Sequence, residues 1–386
     1  MEIYSSLWDI SSAVCIFFIG AVIFLSISKN VYLKQSEALF IYCWHSLFSI
    51  VYLAYTLKNP ADSFRYYNSN AFEEQRFSLG TRAVEYFTGL LKYVDLSYLS
   101  CFLVYNIIGA VGLLIFAGAL KKTVKNSGRN LKFISLIIVL LPSISFWSSA
   151  IGKDAISFLA INMALWAALA LNKNKGLMVS AIILMLIVRP HIAGMIVLAL
   201  SFSIVFDKNI NSKLKAGFLL FSIASSVVMI PFALNYAGVG NEGSVDTDAL
   251  QSYIEKRQGY NMEGGAGVDI ASMSLPMQMF TYMFRPLPYE ASGISSLLAS
   301  LDNVFLLFIF ILGLKSVLIK KLKQEKSNRK FMWLYASGTL VILSLTTANL
   351  GIALRQKWMF VPMFLYLFVS AMAYSRKSLS KRTRFK

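Results

Sequence analysis

Long apolar stretches alternate with short polar ones along almost the whole chain. Most apolar stretches run for roughly 16–22 residues, and about 20 residues of α-helix cross the ~30 Å hydrocarbon core of a bilayer. Because a helix satisfies its own backbone hydrogen bonds, the pattern predicts an all-α, polytopic membrane protein with a single transmembrane domain over residues 1–386. We predict eleven spans: Ile10–Ser28, Ala38–Leu57, Leu99–Leu120, Phe133–Ser149, Ala155–Leu171, Gly176–Val188, His191–Phe206, Ala216–Leu234, Val304–Ile319, Phe331–Thr347 and Trp358–Tyr374.

The sixth and seventh spans are separated only by Arg189-Pro190-His191. Proline removes a backbone donor and ends a helix, so the pattern predicts a break here. The sixth span is short for a bilayer, which places Arg189 below the outer surface, in a cavity. One long kinked helix is the alternative, and it would reverse the orientation of every later span.

Two polar segments, 58–98 and 235–303, are much longer than the others, and a substrate would be handled on such loops. The first contains a possible amphipathic helix, Val84–Leu91. The second is glycine-rich, with a helix-like piece at Thr247–Arg257. It ends in a Met- and aromatic-rich piece, Leu275–Pro288, which is typical of a membrane interface.

The distribution of charge predicts the orientation. One set of loops, which includes the basic tail 375–386, holds 25 of the 37 Lys and Arg residues and only 3 of the 19 acidic ones. The positive-inside rule makes this side the cytoplasm, with the N-terminus outside and the C-terminus inside. The net charge of +18 therefore reflects topology, and we expect no nucleic-acid partner.

Composition agrees with a membrane class: 57% of the residues are hydrophobic and the mean hydropathy is +0.61. The three cysteines fall within predicted spans, and neither a disulfide nor a metal site is expected from them. Asp246-Thr247-Asp248 with Glu255 fits no metal-binding motif. We expect no metal and no cofactor other than a lipid-linked substrate.

Basic residues at the predicted outer ends of spans are the first candidates for chemistry. Arginine binds phosphate with paired donors and does not deprotonate, so such a cluster suits a lipid-linked diphosphate. The alternative is that these side chains snorkel or pair with acidic neighbours. The candidates for diphosphate or sugar binding are Lys153, Arg189, Arg285 and Arg355, together with Arg65 and His191.

Two acids are the candidates for a catalytic role. Asp62 begins the first long outer segment and could accept the proton of an attacking hydroxyl; a loop or helix-start cap is the alternative. Asp154 follows Lys153 at the start of a span. It could act directly, orient Lys153, or interact favourably with the helix dipole.

Five short motifs occur in an order that resembles O-antigen and capsule polymerases of the Wzy type and related GT-C glycosyltransferases. They are Asp62-x-x-x-Tyr66, Pro142-Ser-Ile-Ser-Phe-Trp-Ser-Ser with Lys153-Asp154, Arg189-Pro190, Phe284-Arg285-Pro286-Leu287-Pro288-Tyr289-Glu290, and Asn349 to Arg355. The resemblance implies a GT-C-like enzyme of the bacterial inner membrane acting at the periplasmic face. Asp62 would match the base of GT-C enzymes, and Arg189, Arg285 and Arg355 would match arginines that hold the diphosphate lipid.

The function expected from this resemblance is polymerisation of undecaprenyl-diphosphate-linked oligosaccharide repeat units. Its partners would be that substrate, membrane lipids, and a chain-length regulator and flippase of the same pathway. Two alternatives stay open: a GT-C transferase adding one sugar from a polyprenyl-phosphate donor, and a precursor transporter or flippase. A transporter would carry intramembrane charges along a through-path, whereas most candidates here lie at the outer end.

Overall fold

The computed structural model describes residues 6–59, 61–206, 213, 215–217, 219–220, 267–270, 272–319 and 327–383. Regular structure over these ranges is helical, apart from an isolated antiparallel bridge between Gly267 and Asn349. The helices are α1 Leu7–Ser28, α2 Gln35–Lys58, α3 Asp62–Asn68, α4 Thr81–Tyr93, α5 Tyr98–Val124, α6 Arg129–Val139, α7 Pro142–Ser148, α8 Lys153–Leu169, α9 Lys175–Val188, α10 Pro190–Val205, α11 Leu275–Phe284, α12 Ile294–Ile319, α13 Arg329–Thr346, α14 Leu350–Gln356 and α15 Val361–Thr383.

The all-helical prediction is confirmed for the described residues. Five helical segments among them are long and apolar enough to cross a membrane, and a sixth if α14 and α15, bent by 60°, form one span. The spans predicted from the sequence coincide with α1, α2, α5, α8, α9, α10, α13 and parts of α12 and α15. Most of Ala216–Leu234 and the piece Thr247–Arg257 lie outside the described residues. The count of eleven and the orientation stay predictions.

Prolines divide two of the apolar stretches. The stretch predicted as one span from Phe133 to Ser149 is two helices, because α6 ends at Val139 and α7 begins at Pro142. The break between α9 and α10 lies where the sequence predicted it: Pro190 is the first residue of α10 and Arg189 caps both helices. Proline is tolerated at the first position of a helix because that N–H has no intrahelical partner.

Helix α5 lies at the centre of the bundle and packs against α1, α2, α6, α7, α8 and α15. Small residues on α5 allow close approach, as is usual between membrane helices. A Cβ atom at Gly109 would lie 1.8 Å from the Ser148 carbonyl oxygen of α7, and one at Gly112 would lie 2.9 Å from the Leu159 Cα of α8. The glycines therefore determine how near α7 and α8 come to α5.

Two short helices, α3 and α4, cover one end of α2, α5 and α9. The Tyr98 hydroxyl donates to Ser63 Oγ at 3.2 Å and lies 3.2 Å from Thr56 Oγ1, so α3 is joined to α2 and α5. Gly80, with φ 91°, precedes α4 in a conformation that favours glycine. Its N–H donates to the Ile187 carbonyl at 2.7 Å, which ties the start of α4 to the end of α9.

Candidate functional site

A cavity of about 480 Å³ opens at the end of the bundle that α3 and α4 cover. Its size lies within the range of ligand sites in proteins, ~300–1,000 Å³. Charged side chains from α3 and α14 line one part and aromatic side chains from α2 and α7 another. The lining residues are Tyr52, Tyr55, Ala61, Asp62, Arg65, Trp147, Asn349, Gly351, Ile352 and Arg355.

Arg355, in the last turn of α14, binds two carboxylates that are distant in sequence. Its Nη1 donates to Asp62 Oδ2 at 2.8 Å, and its Nε lies 3.2 Å from Asp154 Oδ2. The second contact is an ion pair but not a hydrogen bond, because the Nε–H group does not point at the carboxylate oxygen. One guanidinium thus joins the first residue of α3 to the second residue of α8.

Arg189 forms the most buried ion pair of this group. Its Nη2 donates to Asp154 Oδ1 at 2.5 Å, and the two side chains are only 6% and 15% exposed. Asp154 therefore binds an arginine with each of its oxygens. The Nε–H groups of both Arg189 and Arg355 are buried and have no hydrogen-bond acceptor among the described residues.

Lys153 and Arg65 lie at the edge of this group. The Lys153 ammonium donates to Thr81 Oγ1 at 2.9 Å, on the first residue of α4. Arg65 is 61% exposed and lies 3.9 Å from both Asp62 and Glu85, which is loose for an ion pair. Its guanidinium also lies 5.4 Å from the centre of the Tyr66 ring. Exposed ion pairs of this kind contribute little to stability.

The local sequence explains why these side chains meet. Arg189 caps α9 with φ −145° and ψ 75°, outside the α-helical conformation that a following proline disfavours. Asp62 occupies the first turn of α3, where its charge suits the helix dipole. The Asn349 side chain accepts a hydrogen bond from the Ile352 N–H at 3.1 Å and so caps α14, one and a half turns before Arg355.

The electrostatic setting keeps Asp62 ionised. Burial by itself raises the pKa of its carboxyl, but the charge of Arg355, the hydrogen bond from Arg355 and the charges of Arg65 and Lys153 lower it by more. The pKa of Asp62 therefore lies below its ordinary value. A carboxylate in this state is a hydrogen-bond acceptor at neutral pH, and it becomes a stronger base only if a cation leaves it.

Two predicted binding residues lie apart from this cavity. Arg285 donates from Nε to Glu290 Oε1 at 2.8 Å, within the segment that follows α11. His191 is half-buried in the first turn of α10. Neither side chain lines the cavity, and of the other predicted residues Lys153, Asp154 and Arg189 do not line it either. Contacts of all these residues with substrate stay predictions.

The sequence did not predict the aromatic lining of the cavity or a separate group of buried polar side chains. Tyr52 and Tyr55 are three residues apart on α2 and therefore share one face of that helix. Trp147 lies in the serine-rich stretch that begins at Pro142. The three-residue spacing of the tyrosines could have indicated an aromatic surface. The Lys357 ammonium is fully buried and donates to Asn303 Oδ1. Neighbouring Asp302 accepts a hydrogen bond from the Ser143 N–H at 2.7 Å.

Within the described ranges, no three His, Cys, Asp or Glu side chains lie close enough together to hold a metal ion. The groups brought together are arginines, a lysine and carboxylates, which suit an anionic ligand and proton transfer. Comparisons with protein-family models, with curated proteins and with solved structures give no match to this chain.

Proposed function

We propose that this chain is a GT-C-like membrane glycosyltransferase of the bacterial plasma membrane. It would polymerise polyprenyl-diphosphate-linked oligosaccharide repeat units at the outer face, as polymerases of O-antigen and capsule do. The observation that carries the proposal is the group formed by Asp62, Asp154, Arg189 and Arg355 beside one cavity. It supplies a candidate base, Asp62, and two candidate diphosphate ligands, Arg189 and Arg355, which Asp154 links; Asp62 and Arg355 line the cavity itself.

The buried Arg189 Nε–H group supports a phosphate ligand. An unsatisfied buried donor costs free energy, and a phosphate oxygen is an acceptor that guanidinium groups bind with two parallel hydrogen bonds. Asp154 holds Arg189 and Arg355 by one oxygen each, which would keep both guanidinium groups in place while substrate enters and leaves. Asp154 thus acts as a positioning residue in this proposal.

The reaction is a displacement at the anomeric carbon. The hydroxyl of the acceptor sugar attacks that carbon and forms the new glycosidic bond, while the bond to the diphosphate breaks. The hydroxyl proton goes to Asp62, and the lipid diphosphate leaves with its negative charge balanced by Arg189 and Arg355. When the diphosphate engages Arg355, the pair with Asp62 weakens and the pKa of Asp62 rises, which makes the carboxylate a better base.

The experiment is gel analysis of surface polysaccharide from a deletion strain complemented with variants. We expect deletion, Asp62→Asn, Arg189→Gln and Arg355→Gln to leave a single repeat unit and no ladder. Arg76→Gln is the matched control, because Arg76 is 64% exposed and, within the described part of the chain, forms an ion pair with Glu74 at 3.2 Å. Expression of every variant is measured on blots of the membrane fraction.

Each other pattern rejects the proposal in a defined way. Wild-type chain lengths in all three site variants would show that this group does not act in polymerisation. Chains lacking one sugar residue would indicate a transferase that adds a single sugar. Lipid-linked units retained inside the cell would indicate a flippase.

The eleven spans and the outward orientation of the cavity are part of the proposal. The orientation can be tested with a cysteine introduced at Ser69, between α3 and α4, in a background with the three native cysteines replaced. We expect a membrane-impermeant thiol reagent to label this position in intact cells. Labelling only after the membrane is broken would reverse the orientation.

A further inference from the structure

An aromatic wall stands in the same cavity as the charged group. We define it as Tyr52, Tyr55 and Trp147, all of which line the cavity, with Phe146 packed behind. The Tyr52 ring lies 4.6 Å from the Phe146 ring and 5.8 Å from the Trp147 ring, and the Phe146 and Trp147 rings are 5.0 Å apart. The wall is therefore a packed unit that joins α2 to α7.

Two members of the wall offer ring surface to a ligand. Tyr52 is only 4% exposed, whereas Tyr55 is 41% exposed and Trp147 is partly exposed. Trp147 and Arg355 also border a second, small recess, together with Asp154. A ligand on the Trp147 ring would thus share the cavity with Asp62 and Arg355.

The combination of ring faces and charged groups selects the ligand chemistry. A sugar ring has a face of C–H groups, which packs on an aromatic ring, and a rim of hydroxyls, which hydrogen-bonds to carboxylates, guanidinium groups and amides. Asp62, Arg65, Arg355 and Asn349 line the cavity with the wall and supply those partners. A prenyl chain at this position would instead lie against ionised groups and remove them from water, which is costly.

We infer that Tyr55 and Trp147 form a subsite that stacks a sugar ring of the acceptor glycan and directs its hydroxyl towards Asp62. This inference rests on the proposed function and adds a second determinant to it, namely that the acceptor is recognised through a ring face. Tyr52 and Phe146 act as positioning residues, because they fix the orientation of the Trp147 ring.

The test is direct binding to the full chain in lipid nanodiscs. The first probe is a set of reduced oligosaccharides released from the surface polysaccharide of the source bacterium, which carry neither lipid nor phosphate. The second probe is farnesyl diphosphate. The variants are Tyr55→Ala, Trp147→Ala and the conservative Trp147→Phe. Phe77→Ala is the control, since Phe77 is an exposed aromatic residue outside the cavity.

We expect the two alanine variants to bind the oligosaccharide about tenfold more weakly, which corresponds to ~1.4 kcal/mol of binding free energy. Trp147→Phe keeps most of the affinity, and Phe77→Ala keeps all of it. Binding of farnesyl diphosphate is unchanged in every variant. Because Tyr55 is partly exposed, its alanine variant tests the inference even if Trp147→Ala does not fold.

Three results would overturn the inference. The first is that the wild-type chain does not bind the oligosaccharide, and the second is that the wild-type chain and the alanine variants bind it equally. The third is that the alanine variants lose binding of farnesyl diphosphate but keep binding of the oligosaccharide. The third would assign the wall to the prenyl chain. Failure of the proposed function is a separate outcome. A deletion strain with normal polymer would reject the polymerase, while oligosaccharide binding that depends on Tyr55 would still support a sugar subsite.

Discussion

The pair between Arg189 and Asp154 allows the sharpest test of the site. Replacing Arg189 with Met removes the charge and keeps much of the side-chain volume. Two opposite charges about 4 Å apart attract by ~4 kcal/mol at an effective dielectric of ~20. Removing one partner of a buried pair costs about 3–5 kcal/mol, because the other charge is left uncompensated. Asp154 keeps its contact with Arg355, so we expect a loss near ~3 kcal/mol.

The measurement is unfolding of the detergent-solubilised full chain, followed by near-ultraviolet circular dichroism as the fraction of denaturing detergent rises. A double-mutant cycle with Asp154→Asn isolates the pair. We expect the double variant to lose less stability than the two single variants lose in sum, by about 0.5–3 kcal/mol. Arg65→Met is the control and should cost less than ~1 kcal/mol, since Arg65 is 61% exposed and its ion-pair distances are 3.9 Å.

Two results would refute this reasoning. One is a loss in Arg189→Met no larger than the loss in Arg65→Met. The other is strict additivity in the cycle with Asp154. Either result would mean that the charges are solvated individually and that Arg189 is not held by Asp154. The role of Asp154 as a positioning residue would then fail, whatever the polysaccharide gel shows.

Three further predictions follow from the packing and the charges. Gly109→Ala brings a Cβ atom to 1.8 Å from a backbone carbonyl oxygen of α7, and it should lower the free energy of unfolding by about 1–3 kcal/mol in the same assay. Its control is Gly176→Ala, whose Cβ atom meets nothing within 4 Å and which should cause no loss. Equal effects of the two substitutions would contradict the close packing. Lys357→Met leaves the buried Asn303 Oδ1 without its donor, and we expect a loss of about 1–3 kcal/mol, so an unchanged unfolding midpoint would disprove the contact. The lowered pKa of Asp62 means that its ion pair stabilises the fold above the ordinary carboxyl pKa of about 4 and is lost as the pH falls through the lowered value. The difference in thermal stability between the wild type and Asp62→Asn should therefore stay constant from pH 8 to pH 5, and a decrease within that range would argue against the pairing.

Much of the helical architecture could be predicted from the sequence, because its causes are local. The length of an apolar run decides whether a helix can cross a bilayer, and Pro190 ends α9 through its own missing donor. The amphipathic helix predicted at Val84–Leu91 lies within α4, because the spacing of apolar residues along a helix is also a local property. The predicted span Phe133–Ser149 lies within a stretch, Arg129–Ser148, that is long and apolar enough to cross a membrane, but its division into two helices at Pro142 was not predicted. The short helix α3 was not predicted because it lies in a polar segment.

The chemistry of the site could be anticipated only by residue type. Its arginines and acids were selected because charges beside apolar spans are costly unless they are paired or functional. Which of them meet was decided by the tertiary structure: Arg355 and Asp62 are 293 positions apart, and the fold brings the end of α14 to the start of α3. Arg285 has the same chemistry as Arg355, but Glu290 lies five residues after it and binds it locally. Helix formation depends on neighbours in sequence, whereas pairing of charges depends on neighbours in space.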